Sequence, residues 1–163
     1  MNTRTVLCLS ALLAAALPAH AADSYGYLAI WQNPKDAAEV PQIKTTPENA
    51  TQAAAMADLE AFCRAKDALA GVGAGEATGC QSVVPLHNTC VAVAYPKGTQ
   101  NLSTNNAVVI TSPLFRSVHQ IAFKQCMQKY GSQGGCAIET VYCTATDYYG
   151  GAFRTLLNRL KSF

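Results

Sequence analysis

The chain alternates between apolar runs and stretches of helical period, and the same order of parts occurs twice. The first half opens with the apolar strand Tyr27-Leu28-Ala29-Ile30-Trp31. A turn follows, then Thr46-Pro47, an Ala-rich stretch ending Ala61-Phe62-Cys63, and Gly79-Cys80 leading into Ser82-Val83-Val84. The second half opens with Cys90-Val91-Ala92-Val93-Ala94-Tyr95. It continues through a turn, Ser112-Pro113, a stretch ending Ala122-Phe123-Lys124-Gln125-Cys126, and Gly135-Cys136 leading into Ala137-Ile138. Internal repetition of this kind is read before any single element, and it points to a duplicated unit.

Each helix has a stripe. Met56, Leu59 and Cys63 recur at helical spacing in the first, flanked by Ala50, Ala54, Ala57, Ala61, Ala65 and Ala68. Leu114, Val118, Ile121, Ala122 and Cys126 do so in the second. Thr46 and Ser112 are expected as N-caps, with Pro47 and Pro113 at the first helical position, where a missing N–H costs nothing. Asn33-Pro34-Lys35-Asp36 and Pro96-Lys97-Gly98-Thr99 have turn chemistry. Residues 40–45 and 107–111 leave room for a second strand in each half. The expectation is an α+β fold of two ββαβ halves, or βαβ if those strands are irregular. A largely antiparallel sheet would carry both helices on one face. A βαβ-βαβ version would be ferredoxin-like.

The N-terminus adds a compartment. Arg4 precedes the apolar run Val6 to Leu17, which is shorter than the roughly 20 residues a membrane-spanning helix needs. Ala19-His20-Ala21 has the small-residue pattern of a signal peptidase site, so residues 1–21 are expected to be a signal peptide cut after Ala21. An uncleaved anchor is the lesser alternative, since no stop-transfer charges follow. Cys8 lies inside the apolar run, not at its end, which argues against a lipid anchor. Of the seven cysteines in 163 residues, six remain after the cut: Cys63, Cys80, Cys90, Cys126, Cys136 and Cys143. An even number in an exported chain reads as three disulfides. Equivalent positions in the two halves pair Cys63 with Cys80 and Cys126 with Cys136, leaving Cys90 with Cys143.

Composition narrows the function classes. Charged residues make up 13% and hydrophobic ones 50%, which excludes a charged disordered tail; the net charge of +2 excludes nucleic-acid binding by bulk charge. Candidate chemistry is thin. His87 precedes Cys90 by three residues, but an oxidised Cys90 cannot supply the thiolate of a Cys–His pair. His119 reads as a surface histidine. No close-spaced Cys/His pairs suggest zinc. The Gly71 to Gly75 loop follows a helix and lacks the Gly-Lys-Ser/Thr of a phosphate loop. Asp58 and Glu60 lie two apart on a helix and do not face each other. The expectation is a non-enzyme with no metal and no cofactor.

Binding chemistry is better represented. Tyr25, Tyr27 and Trp31 lie on one face of the first strand, with Leu28 and Ile30 on the other. Such a strip could anchor a partner or stack on sugars; alternatively these aromatics pack in a second, smaller core. Residues 146–163 read as a hinge at Tyr148-Tyr149-Gly150-Gly151 followed by an amphipathic helix from Ala152 to Ser162. Its Phe153, Leu156, Leu157 and Leu160 share a face, bordered by Arg154, Arg159 and Lys161. This helix either docks on the core of the domain (residues 22–145) or contacts a partner. Candidate contacts are therefore Tyr25, Tyr27, Trp31, Tyr148, Tyr149, Phe153, Arg154 and Arg159.

The helix ending in Cys, Gly79-Cys80-x-x-Val83-Val84, Asn88-Thr89-Cys90-Val91-Ala92-Val93-Ala94 and the final Cys136 to Cys143 strand together resemble a bacterial exported family, domain-of-unknown-function family 4189. The resemblance covers roughly Tyr25 to Cys143; the Gly71 to Gly75 insertion and the C-terminal helix depart from it. It transfers no catalytic residue. It implies a small secreted or periplasmic module, and an immunity partner to a secreted bacterial toxin is the hypothesis taken from it. The functional expectation is therefore an inhibitor or immunity-type module that binds another protein. Nucleic acid is not expected as a partner, a membrane is unlikely, and a homodimer is conceivable. The competing expectation is an envelope glycan-binding protein or small hydrolase using the aromatic strip.

Overall fold

The computed structural model describes residues 23–150. The expected signal peptide and most of the expected C-terminal segment, including Phe153, Arg154 and Arg159, lie outside the described residues. The order of elements is β1 (Tyr25–Trp31), β2 (Gln42–Thr45), α1 (Gln52–Leu69), β3 (Ser82–His87), β4 (Cys90–Tyr95), β5 (Val108–Ser112), α2 (Phe115–Tyr130) and β6 (Ala137–Cys143). Short 3-10 turns at Ser132–Gly134 and Thr146–Gly150 follow α2 and β6. Each half is ββαβ, and the fold is α+β.

The strands form two antiparallel three-stranded sheets, β2-β1-β3 and β5-β4-β6, so the first strand of each half is the centre of its own sheet. The two sheets lie face to face. Leu28, Ile30 and Leu86 from one meet Val91, Val93, Tyr95 and Tyr142 from the other, all buried. Each helix covers the outer face of its own sheet, giving four layers in the order α1, sheet, sheet, α2. The expected single sheet is thus divided in two, and one face of each half carries one helix. The physical reason is the double-sided burial of β1 and β4. A strand apolar on both faces needs a cover on each side, and the inner cover of each half is the other half.

Strand parity obeys this demand. In β4, Val91, Val93 and Tyr95 point to the inter-sheet core, while Cys90, Ala92 and Ala94 point to α2. The small alanines bring α2 close to the sheet. In β6 the register slips between Val93 and Ala94, because Thr140 pairs with the first and Ile138 with the second. Exposed Glu139 is the extra residue of a bulge. The bulge lets Ile138 and Val141, which are an odd number of positions apart, both reach the α2 side.

The two halves are sewn together by polar contacts at one end. β3 passes to β4, and thus from one sheet to the other, through Asn88 and Thr89 alone. Asn88 adopts a left-handed φ of 47°, tolerable for asparagine. Its Oδ1 accepts from the Ser24 backbone N–H at 2.9 Å. The Ser24 hydroxyl donates to Thr144 Oγ1 at 2.8 Å, which also accepts from the Thr89 N–H at 3.1 Å. Gly26 is required at its position, because a Cβ there would collide with the Tyr142 hydroxyl.

The helix starts differ from expectation. Thr46 is buried, and its hydroxyl accepts from the Tyr27 N–H at 2.9 Å. The Pro47 carbonyl accepts from the Tyr142 hydroxyl at 3.2 Å. The first contact ties this segment to β1 and the second ties it to the other half, Asn49 turns the chain with a φ of 56°, and the N-cap of α1 is Thr51, which accepts from the Ala54 N–H. Likewise Ser112 is the last residue of β5, paired with Cys90, and α2 starts at Phe115. Ala50 and Leu114, expected inside the helices, both precede them.

The three disulfides are Cys63–Cys80, Cys90–Cys143 and Cys126–Cys136. Two tie the C-terminal half of a helix to the chain entering the next strand. Cys90 and Cys143 are direct partners across β4 and β6. They close loops of 17, 10 and 53 residues for the first, third and second pairs named by chain position. On chain entropy the Cys90–Cys143 bridge contributes about 4 kcal/mol and each of the others about 3 kcal/mol. Paired Cys→Ala variants examined by urea unfolding are expected to lose stability in that order. Equal losses from all three would show that the closed loop is not what sets their contributions.

Candidate binding surface

The aromatic strip of β1 is not a surface. Tyr27 and Trp31 are 8% and 2% exposed, and Tyr27 packs with Ala29, Ala55 and Leu59 beneath α1. The outer face of β1 is covered by its helix, so these two residues fill a second core and cannot be partner contacts or sugar platforms in the folded chain. Tyr25, at the open end of the strand, is half-buried and stacks on the His87 ring at 4.4 Å. α1 lies over β1 and β2 and leaves the outer positions Val83, Pro85 and His87 of edge strand β3 in solvent. Pro85 on that edge discourages pairing with another strand.

Trp31 has a structural polar contact. Its Nε1–H donates to Asp67 Oδ1 at 2.9 Å, and the Gly79 N–H donates to the same oxygen at 2.9 Å. A Cβ on Gly79 would strike the indole, so the glycine permits the approach. The arrangement fixes the end of the Gly-rich loop beside the Cys63–Cys80 bridge. Burial pushes the Asp67 carboxyl upward, but hydrogen bonds from Thr78, Trp31 and Gly79 outweigh it and hold the group below the usual carboxylate range. A carboxylate lowered on folding stabilises the native state fully above about pH 4, its unfolded value. That contribution disappears as the pH falls through the lower folded value. Stability of Asp67→Asn, followed by thermal unfolding from pH 6 to pH 2, is expected to decline less steeply than that of the parent; parallel declines would remove Asp67 from the account.

His87 is exposed. Its Nε2 lies 3.2 Å from Asp23 Oδ1. A hydrogen bond from Asn88, reinforced by His87, lowers the Asp23 carboxyl. Cys90 is oxidised, so no thiolate faces the imidazole. Among the described residues no three His, Cys, Asp or Glu side chains converge as metal ligands.

A concave surface of about 480 Å³ lies at the opposite helix, between the N-terminal half of α2 and the turn after β6. Phe115, Arg116, His119 and Gln120 form one wall; Tyr149 and Gly150 form the other. The Phe115 ring meets His119 at 5.5 Å and Tyr149 at 5.2 Å, both tilted. His119 Nδ1 is 3.0 Å from the Phe115 carbonyl, to which it donates a hydrogen bond. Of the two tyrosines singled out from the sequence, Tyr148 is 8% exposed and packs under α2, whereas Tyr149 faces the groove.

Tyr149 is also anchored from below. Its hydroxyl accepts from the N–H of buried Cys143 at 2.8 Å. Burial, with Glu48 nearby, pushes the phenol up to about 12. Tyr149→Phe strands a buried N–H and is expected to cost about 1–3 kcal/mol in denaturant unfolding. A phenol signal in the ultraviolet pH titration that vanishes with the substitution should lie near pH 12; a Tyr149 that titrates like free tyrosine would contradict the anchored geometry.

Sequence reasoning missed the α2 wall. Its signal is present as Phe115-Arg116, His119-Gln120 and Phe123-Lys124, an aromatic residue followed by a cation or amide at every fourth position. That spacing puts the rings in one row and their followers in the next. Phe123 is 44% exposed and extends the row beyond the groove.

These features define an α+β domain stapled by three disulfides, as in chains that fold in an oxidising compartment, with an aromatic groove beside a bridged helix. No helix among the described residues is long and apolar enough to cross a membrane. The chain belongs to the DUF4189 family, a domain of unknown function, whose profile matches residues 25–143. No curated protein and no solved structure matches it.

Proposed function

We propose that this protein is a non-catalytic, protein-binding module exported to the periplasm or beyond after removal of residues 1–21, and that it acts as an inhibitor or immunity protein against a secreted bacterial toxin. The observation that carries this reading is the α2 groove. Phe115, Tyr149 and Arg116 converge there, and aromatic and arginine side chains at the rim of a concavity are the usual anchors of protein interfaces. The scaffold beneath them is held rigid. The Cys126–Cys136 bridge secures the far end of α2, and the Cys90–Cys143 bridge lies in the core that α2 covers. Such preorganisation lowers the ordering cost of association. Three disulfides also suit a protein that must survive proteases outside the cytoplasm.

The sugar-stacking alternative relied on the β1 strip, which is covered by α1. The deciding experiment is affinity capture from the envelope fraction with the oxidised, processed protein, followed by mass spectrometry and an activity assay of whatever is recovered. The expected result is one exported enzyme, bound about one to one and inhibited. Recovery of glycan fragments without a protein, or of an enzyme left fully active, would overturn the reading.

A further inference from the structure

We infer that the outer face of α2 is a docking surface for an acidic amphipathic helix of a partner protein; this rests on the binding-module reading above and names the chemistry of the same groove. Three observations meet there. The first is charge. α2 carries Arg116, Lys124 and Lys129 and no acidic residue, whereas α1 carries Asp58, Glu60 and Asp67 against Arg64 and Lys66. On a chain of net charge +2, this concentrates positive charge on the helix wall of the groove, while Glu48 lies beside Tyr149 on the other wall.

The second is the arrangement of rows. Phe115 and His119 line the groove opposite Tyr149 and Phe123 continues their row beyond it, with Arg116, Gln120 and Lys124 in the adjacent, exposed row. Eight residues of helix advance about 12 Å, so Arg116 and Lys124 flank a strip of rings roughly two turns long. The third is exposure. Phe123 is 44% exposed, one turn along the helix from a groove that is open. A partner helix with apolar residues on one side and two carboxylates about two turns apart matches both rows at once, the mode in which an amphipathic helix lays its apolar face into a groove. The chain's own residues 151–163 carry Arg154, Arg159 and Lys161 and no acid, so their charge has the same sign as α2 and opposes docking there.

The test uses the full oxidised protein and two synthetic, fluorophore-labelled helical peptides. Both have leucine along one face. One has glutamates two turns apart on the flanks, and the other has lysines at those positions. At low salt the glutamate peptide is expected to bind at least about tenfold more tightly, to weaken steeply with added salt, and to shift the backbone NMR signals of α2. Arg116→Glu combined with Lys124→Glu should reverse the preference, and Phe123→Ala should weaken binding of the glutamate peptide about tenfold. Reversal of preference is a gain that misfolding cannot imitate.

Equal binding of both peptides, or NMR shifts away from α2, would overturn the inference. So would binding to phosphatidylglycerol vesicles with no binding of the glutamate peptide. A Leu156→Asp, Leu160→Asp variant that binds about tenfold more tightly would place the chain's own tail in the groove and overturn it too. An enzyme captured from the envelope equally well by the Arg116→Glu, Lys124→Glu variant would leave the module reading intact and move the contact elsewhere.

Discussion

The whole architecture depends on two strands that have no polar side. β1 and β4 are buried along almost their full length, with Leu28, Ile30, Val91 and Val93 essentially inaccessible on one face and Ala29, Ala92 and Ala94 on the other. A helix satisfies one face of each. The remaining faces have the same need, and they meet. At about 25 cal/mol per Å² of apolar area, withdrawal of those inner faces from water favours the face-to-face arrangement. The order of layers follows from that meeting, and so does the position of every site residue relative to the helices.

The polar seam is the price of placing two sheets face to face with a two-residue link between them. Backbone groups at the crossing cannot join a ladder, and buried groups need partners. Ser24, Asn88, Thr89 and Thr144 provide them. The same requirement explains why Thr46 and Pro47 do not open a helix. Their oxygens accept hydrogen bonds from Tyr27 and Tyr142, so local capping chemistry yields to contacts 19 and 95 positions distant in the chain.

What could be read from residues alone was what repeats or alternates. The apolar runs of β1 and β4, the ββαβ order and the cysteine partners all have short-range signatures. The face assignment of Tyr25, Tyr27 and Trp31 was legible too, since period two determines it. Its environment was not, because whether a strand face meets water or a helix depends on tertiary packing. Division of the strands into two sheets was hidden for the same reason: an Asn-Thr pair between two strands reads equally well as a hairpin within one sheet. The α2 rows were legible but overlooked, since Phe123 ends one apolar period and begins a polar one, and a search for core positions passes over it.

The passage from β3 to β4 at Asn88 and Thr89 has a consequence for assembly. Each half presents the same strand order, yet a half produced by itself would leave one broad apolar sheet bare, Leu28, Ile30 and Leu86 in one case and Val91, Val93 and Tyr142 in the other. Two separate half-length polypeptides would therefore have to find each other before either could fold. The linkage makes that encounter intramolecular, so formation of the native state does not depend on the concentration of the chain.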